Sequence, residues 1–269
     1  MKIPLPLTTG GTSTVSAILM RPEVATCLFV FGHGAGVPMT HAFMEEACQK
    51  LSTRGVATFR YQFPYMERGG RRPDNSTVLI STVRAAVEAA AKAAPDLPLL
   101  AGGKSLGGRM TSMAMAESAV PSVRGLVFFG FPLHPARQPD TKRAEHLANV
   151  KTPMLFLQGT RDDLADLKLI RRVSRSLGEN ATLHVVEGAD HSFDVLKRSG
   201  RTRDEVLDEL VDSVAGWTVK LDGANAAAQY GSATMTTASL TGKSVGRHVS
   251  PLTMRCGIAT AHNRMELGK

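Results

Sequence analysis

Apolar residues in the first 220 positions come as short unbroken runs, separated by longer stretches in which they recur every three or four residues. Seven runs read as strands: TVSAILM (14–20), ATCLFVFG (25–32), VATFRYQF (56–63), LPLLAGG (97–103), GLVFFGF (125–131), PMLFLQG (153–159) and TLHVVEG (182–188). Each closes in glycine, proline or polar residues, as strand ends do. Continuous apolar runs suit strands buried on both faces. Helical patterns lie near 40–53, 76–94, 106–119, 164–177 and 203–219. The second of these, STVLISTVRAAVEAAAKAA, is alanine-rich and is stopped by Pro95. Such alternation predicts an α/β fold with a mostly parallel sheet flanked by helices, because parallel neighbours need crossovers that pack back on the sheet. Ligands in such sheets gather at the carboxyl ends of strands.

No repeat or linker divides residues 1–220, so one domain is expected there. The stretch 133–151 is the only place for an inserted lid and is too short for a large cap domain. After Leu221 the chain turns rich in Ala, Gly, Ser and Thr and loses all periodicity, so 221–269 is expected to be a low-complexity tail, disordered or loosely attached. Its TGKS at 241–244 is not a phosphate-binding loop, since Thr237 stands where the motif requires glycine.

Composition changes this picture little: 43% of residues are apolar and 21% charged, ordinary for a soluble enzyme. No run approaches the 18 apolar residues of a membrane span, and the N-terminal MKIPLPLTTGG lacks the pattern of a signal peptide. A cytoplasmic location, with no membrane partner, is therefore expected. Cys27, Cys48 and Cys256 are few, odd in number and irregularly spaced, which fits reduced thiols better than a disulfide framework or a zinc site. A net charge of +8 raises the question of nucleic acid. The basic residues are dispersed, however, no recognition motif accompanies them, and the tail offers only Tyr230 for base stacking. Nucleic acid is not an expected partner, and oligomeric state is not legible.

The chemistry concentrates at strand ends. LPLLAGGKSLGGRMTSMAMAESA carries an apolar strand directly into Gly103-Lys104-Ser105-Leu106-Gly107 and then into a helix, the setting of a nucleophile elbow. A serine there projects at the sheet edge, beside the free N–H groups and positive dipole end of the helix. ATCLFVFGHGAG places His33-Gly34-Ala35-Gly36 after another strand. Acyl transfer needs two donors for its oxyanion. The N–H of Leu106 supplies one, and this turn supplies the other, through Ala35 or alternatively Gly36. His33 itself reads as a hydrogen-bonding strut.

A serine hydroxyl needs an imidazole to take its proton and a carboxylate to hold that imidazole in the right tautomer. PMLFLQGTRDD ends a strand at Gly159 and offers Asp162, with Asp163 as fallback; TLHVVEGADHSF ends the next at Gly188 and offers His191. The order Ser105, Asp162, His191 is the one this elbow architecture uses. Position demotes the competing histidines. His184 falls in a strand, His146 in a helical stretch, His41 at a helix start, and His248 and His262 in the tail, while His134 after GLVFFGF is a candidate to line the pocket.

The HGAG turn at 33–36 and GGKSLGGRM at 102–110 resemble the α/β-hydrolase superfamily, and within it the dienelactone-hydrolase-like branch, over residues 1 to about 220. That branch also includes the hydrolase-like domain of a chromatin-complex subunit. The resemblance implies an eight-stranded sheet, a Ser105–Asp162–His191 triad and an acyl-enzyme intermediate. Dienelactone hydrolases carry cysteine at the elbow where this chain has serine, which leaves ester, lactone or thioester hydrolysis open.

Arg68, Arg71 and Arg72 follow the VATFRYQF strand, Lys104 flanks the nucleophile, and Arg109 lies one helical turn beyond it. Gathered near the mouth together with Gly34, Gly36 and His134, these basic groups would favour an anionic acyl substrate. The expected activity is a serine hydrolase with neither metal nor organic cofactor. The alternative is a hydrolase-shaped interaction module whose site is vestigial, because a fold does not dictate function.

Overall fold

The computed structural model describes residues 1–6 and 13–236, with the backbone alone for 222–236. Contacts divide the chain into Met1–Ala226 and Ala227–Lys269, and the sheet belongs to the first unit. Eight strands form one sheet: β1 (Lys2–Pro4), β2 (Thr14–Met20), β3 (Cys27–Gly32), β4 (Val56–Tyr61), β5 (Leu99–Lys104), β6 (Val123–Phe129), β7 (Met154–Gly159) and β8 (Ala181–Val186). Their spatial order is β1-β2-β4-β3-β5-β6-β7-β8. Pairing is antiparallel at β1/β2 and β2/β4 and parallel from β4 to β8. The order reverses at β3, so β3 and β5 lie side by side near the centre and send their carboxyl-end turns to one rim.

Every residue of β3, β4, β5 and β7 is buried, which is why these strands read as unbroken apolar runs. Alternation shows instead in which face each side chain serves. Leu28 and Val30 join one core, while Cys27, Phe29 and Phe31 join the other. The first core packs α3 (Ser76–Ala93), α4 (Leu106–Glu117) and α5 (Leu167–Ser176) on one face; the second packs α1 (Ala42–Thr53) and α6 (Arg203–Thr236) on the opposite face. Caps fix where several helices begin. Asn75 Oδ1 accepts from the Val78 N–H at 3.0 Å to start α3, and Asp166 Oδ1 accepts from Lys168 and Leu169 to start α5.

Three features depart from the periodicity. The strand β1 is too short to show alternation, and α2 (Pro64–Glu67) is a single turn; both were invisible in the pattern. The last helix runs to Thr236, past the expected change of character at 221, while residues 237–269, with the TGKS segment, His248, Cys256 and His262, lie outside the described residues. The stretch 133–151 holds no cap domain: it forms a 3₁₀ run, Lys142–Asn149, packed against α4. Among the described residues no helix is long and apolar enough to cross a membrane.

Candidate active site

The strand-to-helix turn after β5 is unusually tight. Ser105 is the N-cap of α4 with φ +50° and ψ −110°, a conformation that non-glycine residues rarely adopt and that marks a functional constraint. Its neighbours must be bare backbone, since a Cβ on Gly107 would stand 2.3 Å from the Gly32 carbonyl oxygen and one on Gly103 would stand 2.4 Å from the same atom. The elbow is thus pressed against the end of β3, where the HGAG turn begins.

Ser105 meets its partners by direct hydrogen bonds. Its Oγ lies 2.9 Å from His191 Nε2, and His191 Nδ1 lies 2.8 Å from Asp162 Oδ2. The Asp162 side chain is fully buried and accepts only. It therefore accepts the hydrogen bond from Nδ1–H, which keeps the proton on that nitrogen and leaves the Nε2 lone pair facing the serine hydroxyl. Two further donors hold the carboxylate: the Leu164 N–H at 2.8 Å on Oδ1, and the side-chain amide of Gln158 on Oδ2. Gln158 is itself oriented by accepting from the Phe131 N–H at 3.1 Å. Asp163, the fallback acid, is exposed.

The loops carrying the acid and the base are stitched together. Arg161 N–H donates to the Ala189 carbonyl at 2.8 Å, and Gly188 N–H donates to Thr160 Oγ1 at 2.9 Å. The turn at His191 is closed by Asp190, whose Oδ1 accepts from the N–H groups of Ser192 and Asp194 at 2.8 and 3.0 Å. Phe193 adopts φ +64° there and buries its ring against Phe43 and Phe129.

The HGAG turn divides its labour. His33 is wholly buried, with Nδ1 donating to the Gly34 carbonyl at 2.7 Å and Nε2 accepting from the Phe63 N–H at 3.0 Å. Burial pulls its pKa down to about 4, so it is a neutral strut. Gly36 N–H donates to the Tyr65 hydroxyl at 3.3 Å, whereas among the described residues no acceptor occupies the N–H of Ala35 or of Leu106. Of the two turn residues, Ala35 is the one whose N–H is left open.

A cleft of about 490 Å³ opens over Ser105, with Gly34, Ala35, Lys104 and His191 in its lining. Several residues expected to line it do not. His134 is buried and used at both ring nitrogens, Nδ1 donating to the Pro135 carbonyl and Nε2 accepting from the Asp166 N–H, each at 2.8 Å, so it is a brace for the loop before α5. Arg71 and Arg72 are exposed and stand outside the lining, as Gly36 does. Arg109 also lies outside it, half-buried, its pKa lowered by burial and then by the charge of Arg143. Lys104 does line the cleft but turns its ammonium inward, onto the main-chain oxygen of His191.

The basic group at the edge is instead Arg203, at the start of α6, which pairs with Glu46 at 3.0 Å and Asp194 at 3.2 Å. Apolar walls come from Val37, Phe43, Met44 and Leu164. None of these four stands in a local signature, and nothing local to Arg203 or Gln158 signalled a place near Ser105.

Comparison with known proteins agrees with this fold. A family model described as an alpha/beta hydrolase domain matches residues 25–219. Among solved structures, an alpha-beta serine hydrolase homologue from Coxiella burnetii is 18% identical, with TM-score 0.62 over 79% of this chain and 95% of the other. Est1E from Butyrivibrio proteoclasticus, with ferulic acid bound, is 16% identical, with TM-score 0.63 over 83% and 99%. A dienelactone hydrolase from Anabaena variabilis is 19% identical, with TM-score 0.62 over 82% and 97%. At such identities these likenesses speak for the fold.

Proposed function

Because the chain belongs to the alpha/beta hydrolase domain family, we propose that it is a serine hydrolase that cleaves a small carboxylic ester, lactone or thioester through an acyl-enzyme on Ser105. One observation carries the reading: the unbroken relay from Ser105 Oγ to His191 Nε2 and from His191 Nδ1 to Asp162, at 2.9 and 2.8 Å, at the floor of an open cleft. The hydroxyl attacks the carbonyl carbon while His191 takes its proton. The oxygen that gains the negative charge is met by the N–H groups of Leu106 and Ala35, and Asp162 stabilises the imidazolium. Collapse expels the alcohol or thiol, which receives the proton from His191. A water, deprotonated by the same imidazole, then attacks the acyl carbon, and His191 returns that proton to Ser105 Oγ as the acid leaves.

Val37, Phe43, Met44 and Leu164 line the cleft together with His41, Ser192, Asp194 and Arg203, and its size suits a compact acyl group without net charge. The arginines expected to attract an anion stand elsewhere, and Arg203 is neutralised by two carboxylates. A vestigial module would have no need for a buried carboxylate with three donors aimed at one histidine. The test is Ser105→Ala: labelling by a fluorophosphonate probe and turnover of p-nitrophenyl esters of graded chain length should both vanish, with the far-UV spectrum unchanged. Equal labelling of the mutant would sink the assignment.

A further inference from the structure

Lys104 closes β5 immediately before the nucleophile, yet its side chain serves the base. The ammonium donates to the main-chain carbonyl oxygen of His191, 87 residues away, and lies 5.8 Å from the centre of the Phe43 ring and 5.4 Å from that of Phe193. A Cβ on Gly130, at the end of β6, would stand 3.2 Å from Lys104 Nζ and 3.3 Å from His191 Nδ1, so lysine and imidazole share that bare glycine surface. The residue is 9% exposed. No carboxylate lies within ion-pair distance of it among the described residues, while Asp162 and Asp190 act on it from farther off. An ammonium buried without a close counter-ion is costly, and methionine would fill the same volume without that cost. Its placement therefore calls for a functional reason.

We infer that Lys104 is a positioning residue for the reaction proposed above: held between Phe43 and Phe193, it ties the strand of the nucleophile to the backbone of the base and so fixes where the imidazole of His191 meets Ser105. The inference rests on the serine-hydrolase reading. The groups that face the ammonium are Asp162 from the loop after β7, Asp190 and His191 from the loop after β8, and the uncharged Phe43 and Gly130 from α1 and the end of β6. Phe193 locks the His191 turn from below, and Lys104 holds it from the side of the nucleophile.

Charge matters to this grip, because both the attraction to the rings and the strength of the hydrogen bond depend on it. Burial lowers the lysine to about 8, so the grip weakens as pH rises through that value.

The experiment compares wild type, Lys104→Met and Lys104→Arg by fluorophosphonate labelling rate, by kcat and KM on a p-nitrophenyl ester between pH 6 and 10, and by thermal melting. In Lys104→Met, kcat and labelling should fall by roughly tenfold to a hundredfold, the scale of a small misplacement of a catalytic group. KM should stay within about twofold, since a positioning fault acts on the chemical step, and Tm should be unchanged or higher because a buried charge is gone. The wild-type decline in kcat through about pH 8 should be absent in Lys104→Met and displaced upward in Lys104→Arg, which keeps its charge. Rates in Lys104→Met within about twofold of wild type would overturn the inference, and so would a rate loss matched by a fall in Tm or confined to KM. If Lys104→Arg does not fold, the methionine variant decides alone. Wild type that takes no label refutes the serine-hydrolase reading itself, and the inference with it.

Discussion

The described histidines do different jobs, and the atoms around each ring decide which. His191 keeps one nitrogen open to the serine, whereas His33 and His134 spend both nitrogens on backbone groups, and His146 is bonded to Ser112 Oγ at 2.7 Å. Burial pulls His33 to about 4; burial, and then the charge of Arg109, does the same to His146. The unfolded chain takes up these protons near the ordinary value of 6.5, while the folded chain refuses them until about pH 4. Between those values the unfolded state holds more protons, so stability is complete above about pH 6.5 and is lost as pH falls toward 4. Urea titrations should show the midpoint dropping steadily between pH 6.5 and 4, with a shallower drop in His146→Asn. A flat profile over that window would mean that these rings are not held neutral.

At the scale of elements, the site is a set of strand ends forced together. The turn from β5 into α4 is wedged against β3 closely enough that one methyl group is too much: Gly107→Ala should push a Cβ to 2.3 Å from the Gly32 carbonyl. Overpacking of this kind costs about 1–3 kcal/mol. Because the displaced backbone includes the Leu106 N–H, ester turnover should fall more steeply than Tm; a variant with normal kcat would show that the turn has slack. The same elements explain what was readable beforehand. Seven strands and five helices are long enough to display their periods, and apolar runs such as CLFVFG and MLFLQG announce burial on both faces. The three-residue β1 and the four-residue α2 have no period to display, and they exist because β2 and α3 offer them partners.

The unit Met1–Ala226 is a sheet sealed on both sides, and it contains every group assigned to the site. A chain ending at Thr236 should therefore label with fluorophosphonate at the wild-type rate and melt within a degree or two; the measurement is a side-by-side melt and labelling time course. A large loss would give residues 237–269 a part in the hydrolase itself.

Ser105, Asp162 and His191 were legible because each stands in a local signature, a strand running into a glycine turn, and such turns follow from nearby residues alone. The continuation of α6 and the places of the basic residues were not legible in that way. Helix α6 continues past Leu221 without an amphipathic pattern to announce it, and arginines that adjoin the motifs in sequence, Arg71, Arg72 and Arg109, stand away from the cleft while Arg203, 98 positions after the nucleophile, lines it. What the sequence determined by itself was the order of elements and the chemical types at the strand ends, since both are set by hydrophobic period and turn geometry over a few residues. What only the tertiary structure decided was the direction of each side chain: Lys104 inward onto the backbone of His191, Gln158 onto Asp162, His134 away from the cleft. Those directions depend on packing between segments far apart in the chain, and no local pattern encodes them.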